Sequence, residues 1–363
     1  MGKWSHRVAD ALEAHGHEVT LWFGQDVLGT RPSSFSVVFM YPVSLAMAIF
    51  RRRTDFDVVV VHEPGGLWYS LGRRLTRSLP PIVAMCHNVE SKWFHQWVRF
   101  SKRGHARIPF WSRIKSPLCR TWQSDGTIRW ADHVVCLSSE DQAYITQVLG
   151  RRAEDVTRTA NGVASDDFVA SGSRHQFSVL FVGGWLDVKG AGVLPAVFRR
   201  LRERLPEARL TIAGAGAPIA AITSKFASDD RPYVRVLDQH LDAAGLRNLY
   251  RSHVAFLMPS LSEGSPLSLL EAMAGGCVAV AAATGGIPDI IRGGREGIDG
   301  LLFQPASARE AADRLVTVLT DSGRAEALSR AAVARARSFT WAATARAIEC
   351  AATHAMAAGE HRP

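Results

Sequence analysis

Two glutamates, Glu263 and Glu271, stand eight residues apart in the run EGSPLSLLEAMAGG. Glu263 falls in a loop of small residues and a proline, and Glu271 on the apolar segment Leu267–Met273, which reads as a helix. A loop entering a helix offers backbone N–H groups with no intrahelical acceptor and the positive end of the helix dipole. That combination suits an anion or a hydroxyl-bearing ligand, with one carboxylate at the mouth and another further in. The same pair also fits a solvated helix face, and spacing alone does not separate the two readings.

Other residues could serve such a site. Val179 to Gly190 reads VLFVGGWLDVKG: a strand, a glycine turn, then Lys189 before the next helix. Gly183 and Gly184 let backbone approach a phosphate closely. Lys189 can bring a point charge to a diphosphate. A plain strand-to-helix turn with a surface lysine looks the same. His87, in AMCHNVE, sits at the carboxyl end of a strand. His62, which ends a strand in DVVVVHEPG, is the second candidate. A lone histidine is as readily a core or surface residue. Asn161-Gly162-Val163 forms a turn in which Gly162 suits a positive φ, so Asn161 either shapes the turn or meets a ligand. Leu210–Gly216 (LTIAGAG) is a strand running into a glycine turn.

No His/Cys/Asp cluster has metal-ligand spacing, and no Asp-x-Asp stands in a loop able to hold a divalent ion against a diphosphate. No metal or cofactor is therefore expected. A serine nucleophile elbow and a P-loop are absent from the sequence.

The elements that must position these residues follow an α/β pattern with parallel sheets. Expected strands are Glu18–Phe23, Ser36–Met40, Asp57–His62, Pro81–Cys86, His133–Leu137, Val156–Thr159, Ser178–Val182, Ala208–Ala213, Tyr233–Leu237, Val254–Met258 and Val278–Ala282. Helical segments lie between most of them. Glycine turns fall where strands give way to helices, which is where ligands bind in such sheets. Ala164–Gln176 is polar and small and reads as a linker. The expected domains are 1–172, 173–340 and a last helix, 341–363, crossing back to the first.

With 363 residues, 47% hydrophobic and 21% charged, the chain can bury two cores of ordinary globular composition. The five cysteines, Cys86, Cys119, Cys136, Cys277 and Cys350, are scattered. No pair has redox spacing, which fits a reducing cytoplasm. The longest apolar stretch, Val37–Phe50, is 14 residues broken by Pro42 and Ser44. It is too short to span a bilayer and reads as a buried strand edge plus a helix.

The net charge of +9 is concentrated. Residues 91–130 hold nine Lys/Arg against one acid, Asp125, together with five of the ten tryptophans. Basic residues interleaved with Trp suit an anionic membrane surface. The alternative is a helical excursion whose tryptophans pack inward. No nucleic-acid module is readable, and no nucleic-acid partner is expected.

Residues 254–291, VAFLMPSLSEGSPLSLLEAMAGGCVAVAAATGGIPDII, resemble the donor-site block of family 4 glycosyltransferases, down to the Gly-Gly-Ile-Pro after the second strand. The resemblance extends over nearly the whole chain and is strongest from Phe177 to Phe303. It implies the GT-B fold, with two Rossmann-like domains facing a cleft. The implied reaction is metal-independent transfer of a sugar from a nucleotide sugar, UDP- or GDP-linked, to an acceptor hydroxyl with retention. A lipid-linked or polysaccharide acceptor is expected, at a cytoplasmic or peripheral inner-membrane location.

The implied roles follow residue by residue. Glu271 holds the ribose and Glu263 faces the transferred sugar. The backbone of Gly264, Ser265, Pro266 and Leu267 holds the sugar hydroxyls. Lys189 takes the diphosphate beside Gly183, and His87 orients the sugar or phosphate. Asn161 belongs to the family's Asn-Gly-Val turn. Gly184 stands where the family has an arginine, a departure for which Arg292 is the candidate to compensate. GKWSHRVADALEAHGHEVTLW resembles the family's first helix and second strand, so the first strand is expected to be missing. Two competing readings are a nucleotide-sugar epimerase of similar fold and a truncated or non-catalytic sugar-nucleotide- or membrane-binding protein.

Overall fold

The computed structural model describes residues 2–29, 36–76, 78–168, 174–237, 241–294 and 296–361. Part of the expected linker, residues 169–173, lies outside them. The chain forms two compact units, one of residues 1–95, 108–160 and 341–363, the other of residues 96–107 and 161–340. Among the described residues no helix is long and apolar enough to cross a membrane.

In the first unit the elements run α1 (Gly2–Glu13), α2 (Gly24–Leu28), α3 (Tyr41–Arg51), β1 (Val59–His62), α4 (Leu67–Leu75), β2 (Ile82–Cys86), α5 (Glu90–Lys102, whose last residues belong to the other unit), α6 (Phe110–Ser116), α7 (Trp122–Trp130), β3 (His133–Cys136), α8 (Ser139–Gln147) and β4 (Val156–Arg158). The strands form a parallel sheet in the order β1-β2-β3-β4. Every residue of β2 is buried, as a parallel strand covered on both faces requires. Alternation along the strands sends Ala84, Cys86, Val134 and Cys136 to one core with Leu45, Tyr69, Ile128 and Ile145.

The second unit runs β5 (His175–Val182), α9 (Leu194–Arg202), β6 (Arg209–Ala213), α10 (Ile219–Thr223), β7 (Val234–Val236), α11 (Ala243–Ser252), β8 (His253–Met258), α12 (Leu267–Ala274), β9 (Val278–Ala282), α13 (Ile287–Ile290), β10 (Leu301–Phe303), α14 (Ala308–Thr320) and α15 (Ser322–Ala336). Its parallel sheet has the order β10-β9-β8-β5-β6-β7. The chain builds one half outward from β5, then returns to β5's other side with β8. The order therefore reverses between β5 and β8, and the crevice beyond the carboxyl ends of those strands is where such sheets take ligands.

The last helix, α16 (Trp341–His361), belongs to the first unit. Ile348, Ala351 and Ala355 cover Val83, Met85, Val135 and Leu137, the sheet face that Trp4 and Val8 of α1 also cover.

Two expected strands are absent. Residues 17–23 have no ladder partner, and Trp22 packs instead edge-on to Phe56 at 5.6 Å with the Arg52 guanidinium 5.4 Å from its ring centroid. Residues Ser36–Met40 form a π-helical turn leading into α3. β-branched and aromatic residues favour a strand only where a neighbouring strand accepts them, and the observed first-unit sheet has none at these segments. The stretch Val37–Phe50 is consequently not a buried strand edge: Val37, Met40, Val43, Met47 and Phe50 are exposed. Conversely β10, three residues between Gly300 and Gln304, was too short to stand out by periodicity.

Candidate active site

The loops that follow β5 and β8 are stitched together. The Leu261 amide donates to the Val188 carbonyl at 2.8 Å. Gly190 has φ +80°, and a Cβ there would lie 2.2 Å from the Pro259 carbonyl oxygen, so only glycine lets the two loops come this close. This contact brings Lys189 to Glu263. The ammonium donates to both carboxylate oxygens, at 2.8 and 3.0 Å. Ser260 Oγ donates to Oε1 at 2.8 Å. Glu263 is only 7% exposed, whereas the Lys189 side chain is 36% exposed. The ammonium is therefore the side of the pair open to an incoming group.

The backbone of Glu263 is fixed from β9's side. The Gly286 amide donates to its carbonyl at 3.2 Å, and Thr284 Oγ1 donates to the Leu261 carbonyl at 3.1 Å. Gly285 has φ +55°, and a Cβ there would overlap the Glu263 carbonyl oxygen at 1.6 Å. The sequence thus has glycine where the turn after β9 must lie against the Glu263 loop.

Residues Gly264, Ser265 and Pro266 lead into α12, with Pro266 at its N-cap and Leu267 as its first residue. Asn161 braces this loop: its amide N–H donates to Ser265 Oγ at 3.0 Å, and its side-chain amide donates to the Ser265 carbonyl. Its side chain is thereby engaged in holding the loop. Glu271, on the buried face of α12, accepts from the Tyr250 hydroxyl at 3.3 Å. Burial, and then the Glu271 charge, push the Tyr250 hydroxyl well above its ordinary pKa, so Tyr250 acts as a donor to Glu271. Gly183 (φ +156°) and Gly184 follow β5, and the Gly183 amide donates to the Ala213 carbonyl at 3.0 Å. Arg292 is held by Asp299, through Nε at 2.7 Å and through its amide at 2.7 Å.

His87 lies in the first unit, beyond the end of β2. Its Nε2 is 2.9 Å from His62 Nδ1, so one ring nitrogen donates and the other accepts. The rings stack at 4.9 Å, and Trp4 meets both edge-on, at 5.1 and 4.8 Å. Loss of water around the rings lowers His62 to about 4 and His87 to about 3, with the neighbouring His62 adding to the effect on His87. Both are neutral at neutral pH. The two histidines, kept apart as first and second choice by sequence, are thus one hydrogen-bonded unit.

Sequence reasoning missed Ser260 and Tyr250. Ser260 had a faint signal, three residues before Glu263. Tyr250 had none, since its contact with Glu271 arises only when α11 and α12 pack. Among the described residues no group of three His, Cys, Asp or Glu is placed to hold a metal ion.

Comparison with known proteins gives this geometry a family. Residues 1–167 match the family described as Glycosyltransferase Family 4, and residues 176–321 match that described as Glycosyl transferases group 1. The D-inositol 3-phosphate glycosyltransferase of Kribbella flavida is 29% identical over 270 residues, 68% of this chain and 62% of the relative. The sulfoquinovosyl transferase SQD2 of Arabidopsis thaliana is 34% identical over 147 residues, 40% of this chain and 28% of the relative. The chain thus spans less than two thirds of the length of either.

Among solved structures, sucrose-phosphate synthase from Thermosynechococcus elongatus superposes with a TM-score of 0.73 at 17% identity, covering 96% of this chain and 91% of that one. HepE of Anabaena, solved in complex with UDP and glucose, gives a TM-score of 0.62 at 18% identity, covering 94% and 87%. These likenesses show the fold, an α/β architecture of the GT-B class. The chain belongs to the family 4 glycosyltransferases.

Proposed function

We propose that this chain moves a sugar from a nucleotide sugar to an acceptor hydroxyl, with retention at the anomeric carbon and without a metal ion. The observation that carries the reading is the Lys189–Glu263 pair at the reversal point between β5 and β8, with Glu271 on the helix that follows. In this reading the anomeric carbon exchanges its bond to the diphosphate oxygen for one to the acceptor oxygen. The acceptor loses its proton and the nucleoside diphosphate leaves.

Each residue then has a physical task. Negative charge grows on the leaving diphosphate as the bond breaks, and a fixed cation stabilises it most when it need not reorient. Glu263, itself held by the Ser260 hydroxyl, keeps Lys189 in place for that purpose, with its ammonium on the open side. The carboxylate of Glu263 and the amides of Gly264, Ser265 and Leu267 accept from and donate to sugar hydroxyls. Glu271, steadied by Tyr250, takes the ribose hydroxyls. Gly183 and Gly184 leave room for the phosphates. The His62–His87 pair supplies a neutral imidazole in the first unit that orients the sugar or the phosphate.

A UDP- or GDP-linked donor is part of the reading, supported by HepE having been solved with UDP and glucose. The acceptor is read as a cell-surface polysaccharide or glycolipid. The basic, Trp-bearing segment 91–130 supports an acceptor at an anionic surface. The structure divides that segment: Trp111 and Trp122 are exposed, whereas Lys92 is buried against Asp141 at 2.7 Å. The test is incubation with radiolabelled UDP- and GDP-sugars and candidate acceptors, with chelator present. Product of retained configuration supports the reading. Interconversion of the donor sugar without nucleotide release would make the chain an epimerase instead.

A further inference from the structure

Large exposed apolar side chains are concentrated on one region of the first unit. Helix α3 carries two apolar stripes. Pro42, Leu45 and Ile49 face the core. Met40, Val43, Met47 and Phe50, spaced three, four and three residues apart, are exposed. A second exposed stripe, Trp111, Ile114, Leu118 and Trp122, runs along the continuous helical segment from α6 through the π-helical turn Pro117–Thr121 into α7. Trp111 and Leu118 are 74% and 66% exposed.

The two stripes are neighbours. The turn at Ser36–Met40 packs on the turn at Pro117–Thr121, and Gln123 Nε2 donates to the Val38 carbonyl at 3.2 Å. Trp122 meets Trp68, also exposed, edge-on at 6.5 Å. A helix apolar on two sides ordinarily has both covered, and contiguous apolar patches on protein surfaces mark interaction sites.

The stretches that carry the stripes bear charge of one sign, and Asp26 of α2, which packs on α3, is an exposed acid at their border. Residues 36–53 and 108–122 together contain Arg51, Arg52, Arg53, Arg113, Lys115 and Arg120 and no acid. Arg52 pairs with Asp55 and Arg120 with Glu90 from outside these stretches. Arg51, Arg53, Arg113 and Lys115 are exposed beside the stripes. Two copies meeting through this face would oppose like charges. An interface of anionic headgroups over acyl chains satisfies both features at once, taking up apolar side chains while meeting the cations.

We propose that the face formed by the α3 stripe and the α6–α7 stripe docks this protein on an anionic phospholipid bilayer. Met47, Phe50, Trp111 and Leu118 enter the headgroup boundary, and Arg51, Arg53, Arg113 and Lys115 meet the phosphates. This goes beyond the transfer reading and does not depend on it.

The test is co-sedimentation of the whole chain with vesicles of phosphatidylcholine alone and of phosphatidylcholine mixed with phosphatidylglycerol. Binding is expected to the mixed vesicles and to fall as salt is raised. Trp111→Ser combined with Leu118→Ser should weaken it about tenfold or more. Arg113→Ala and Lys115→Ala should each weaken it about fivefold. Thermal melting of each variant establishes that it folds, and Met47→Ser with Phe50→Ser repeats the test on the other stripe. Equal binding to neutral vesicles, or no binding by folded wild-type chain, overturns the proposal. So does a dimer in light scattering that the same substitutions disperse, since that gives the face to a second copy.

Discussion

Lys189 and Glu263 are 74 residues apart in sequence and joined through both carboxylate oxygens in the fold. They meet because β5 and β8, distant in sequence, lie side by side where the sheet order reverses. The pair serves two ends. It neutralises a buried carboxylate, and in the proposed reaction it would hold a cation where a leaving diphosphate needs one.

Lys189→Met separates these ends. It leaves Glu263 buried without its cation, costing about 2 kcal/mol for a partly exposed charged hydrogen bond. A thermal melt should show a drop of several degrees. The transfer rate should fall roughly hundredfold or more, because the stabilisation is largest in the transition state. A variant that folds and transfers at the wild-type rate would remove Lys189 from the chemistry.

Glu271 is assigned to binding. Glu271→Gln should raise the dissociation constant for the nucleoside diphosphate about tenfold to hundredfold, as expected for a charged hydrogen-bond acceptor. Tyr250→Phe, which removes only the bracing hydroxyl, should have a smaller effect of the same sign. Calorimetric titration with UDP and GDP reads both.

Gly285→Ala tests the loop packing. The added methyl would meet the Glu263 carbonyl oxygen at 1.6 Å, on a backbone at φ +55°. The Glu263 loop has to move, so donor binding should be lost or nearly so. Gly192→Ala, whose methyl would find only ordinary contacts at 3.8 Å, is the control and should bind donor normally.

Acid should destabilise the first unit. His62 and His87 are held neutral, at about 4 and about 3, against an ordinary value of 6.5. Between those values the unfolded chain binds protons that the folded chain does not. Stability is therefore lost as pH falls below about 6.5, by at most about 1.4 kcal/mol per pH unit for each imidazole. The loss levels off near the folded values. His87→Gln should flatten this dependence in melts recorded from pH 7 downward. An unchanged slope would mean that the ring is not held neutral.

The donor-side elements were legible because their signals are local. β5, β8, β9 and α12 are apolar runs bounded by glycine or proline; Lys189 and Glu263 fall in the loops that follow β5 and β8, and Glu271 lies within α12. The partners of these residues were not legible. Ser260 and Tyr250 reach the carboxylates through loop closure and helix packing, which no spacing rule encodes. Nor did sequence join His62 to His87, because that contact depends on the register of β1 against β2, where His62 pairs with Met85. The segments Glu18–Phe23 and Ser36–Met40 read as strands from composition alone. They failed because a strand also needs a partner edge. The apolar stripe on α3 was hidden for a related reason: Val37–Phe50 is apolar almost throughout, so periodicity could not say which side would be left exposed.

The most direct measurement is donor binding to the whole chain with chelator present, by thermal shift and calorimetry, using UDP- and GDP-sugars on wild type and Glu271→Ala. The account predicts stabilisation by one of the two nucleotides, lost in the variant and accompanied by slow release of sugar from the donor. A folded wild-type chain that binds neither, or a Glu271→Ala variant that binds as tightly as wild type, would contradict it.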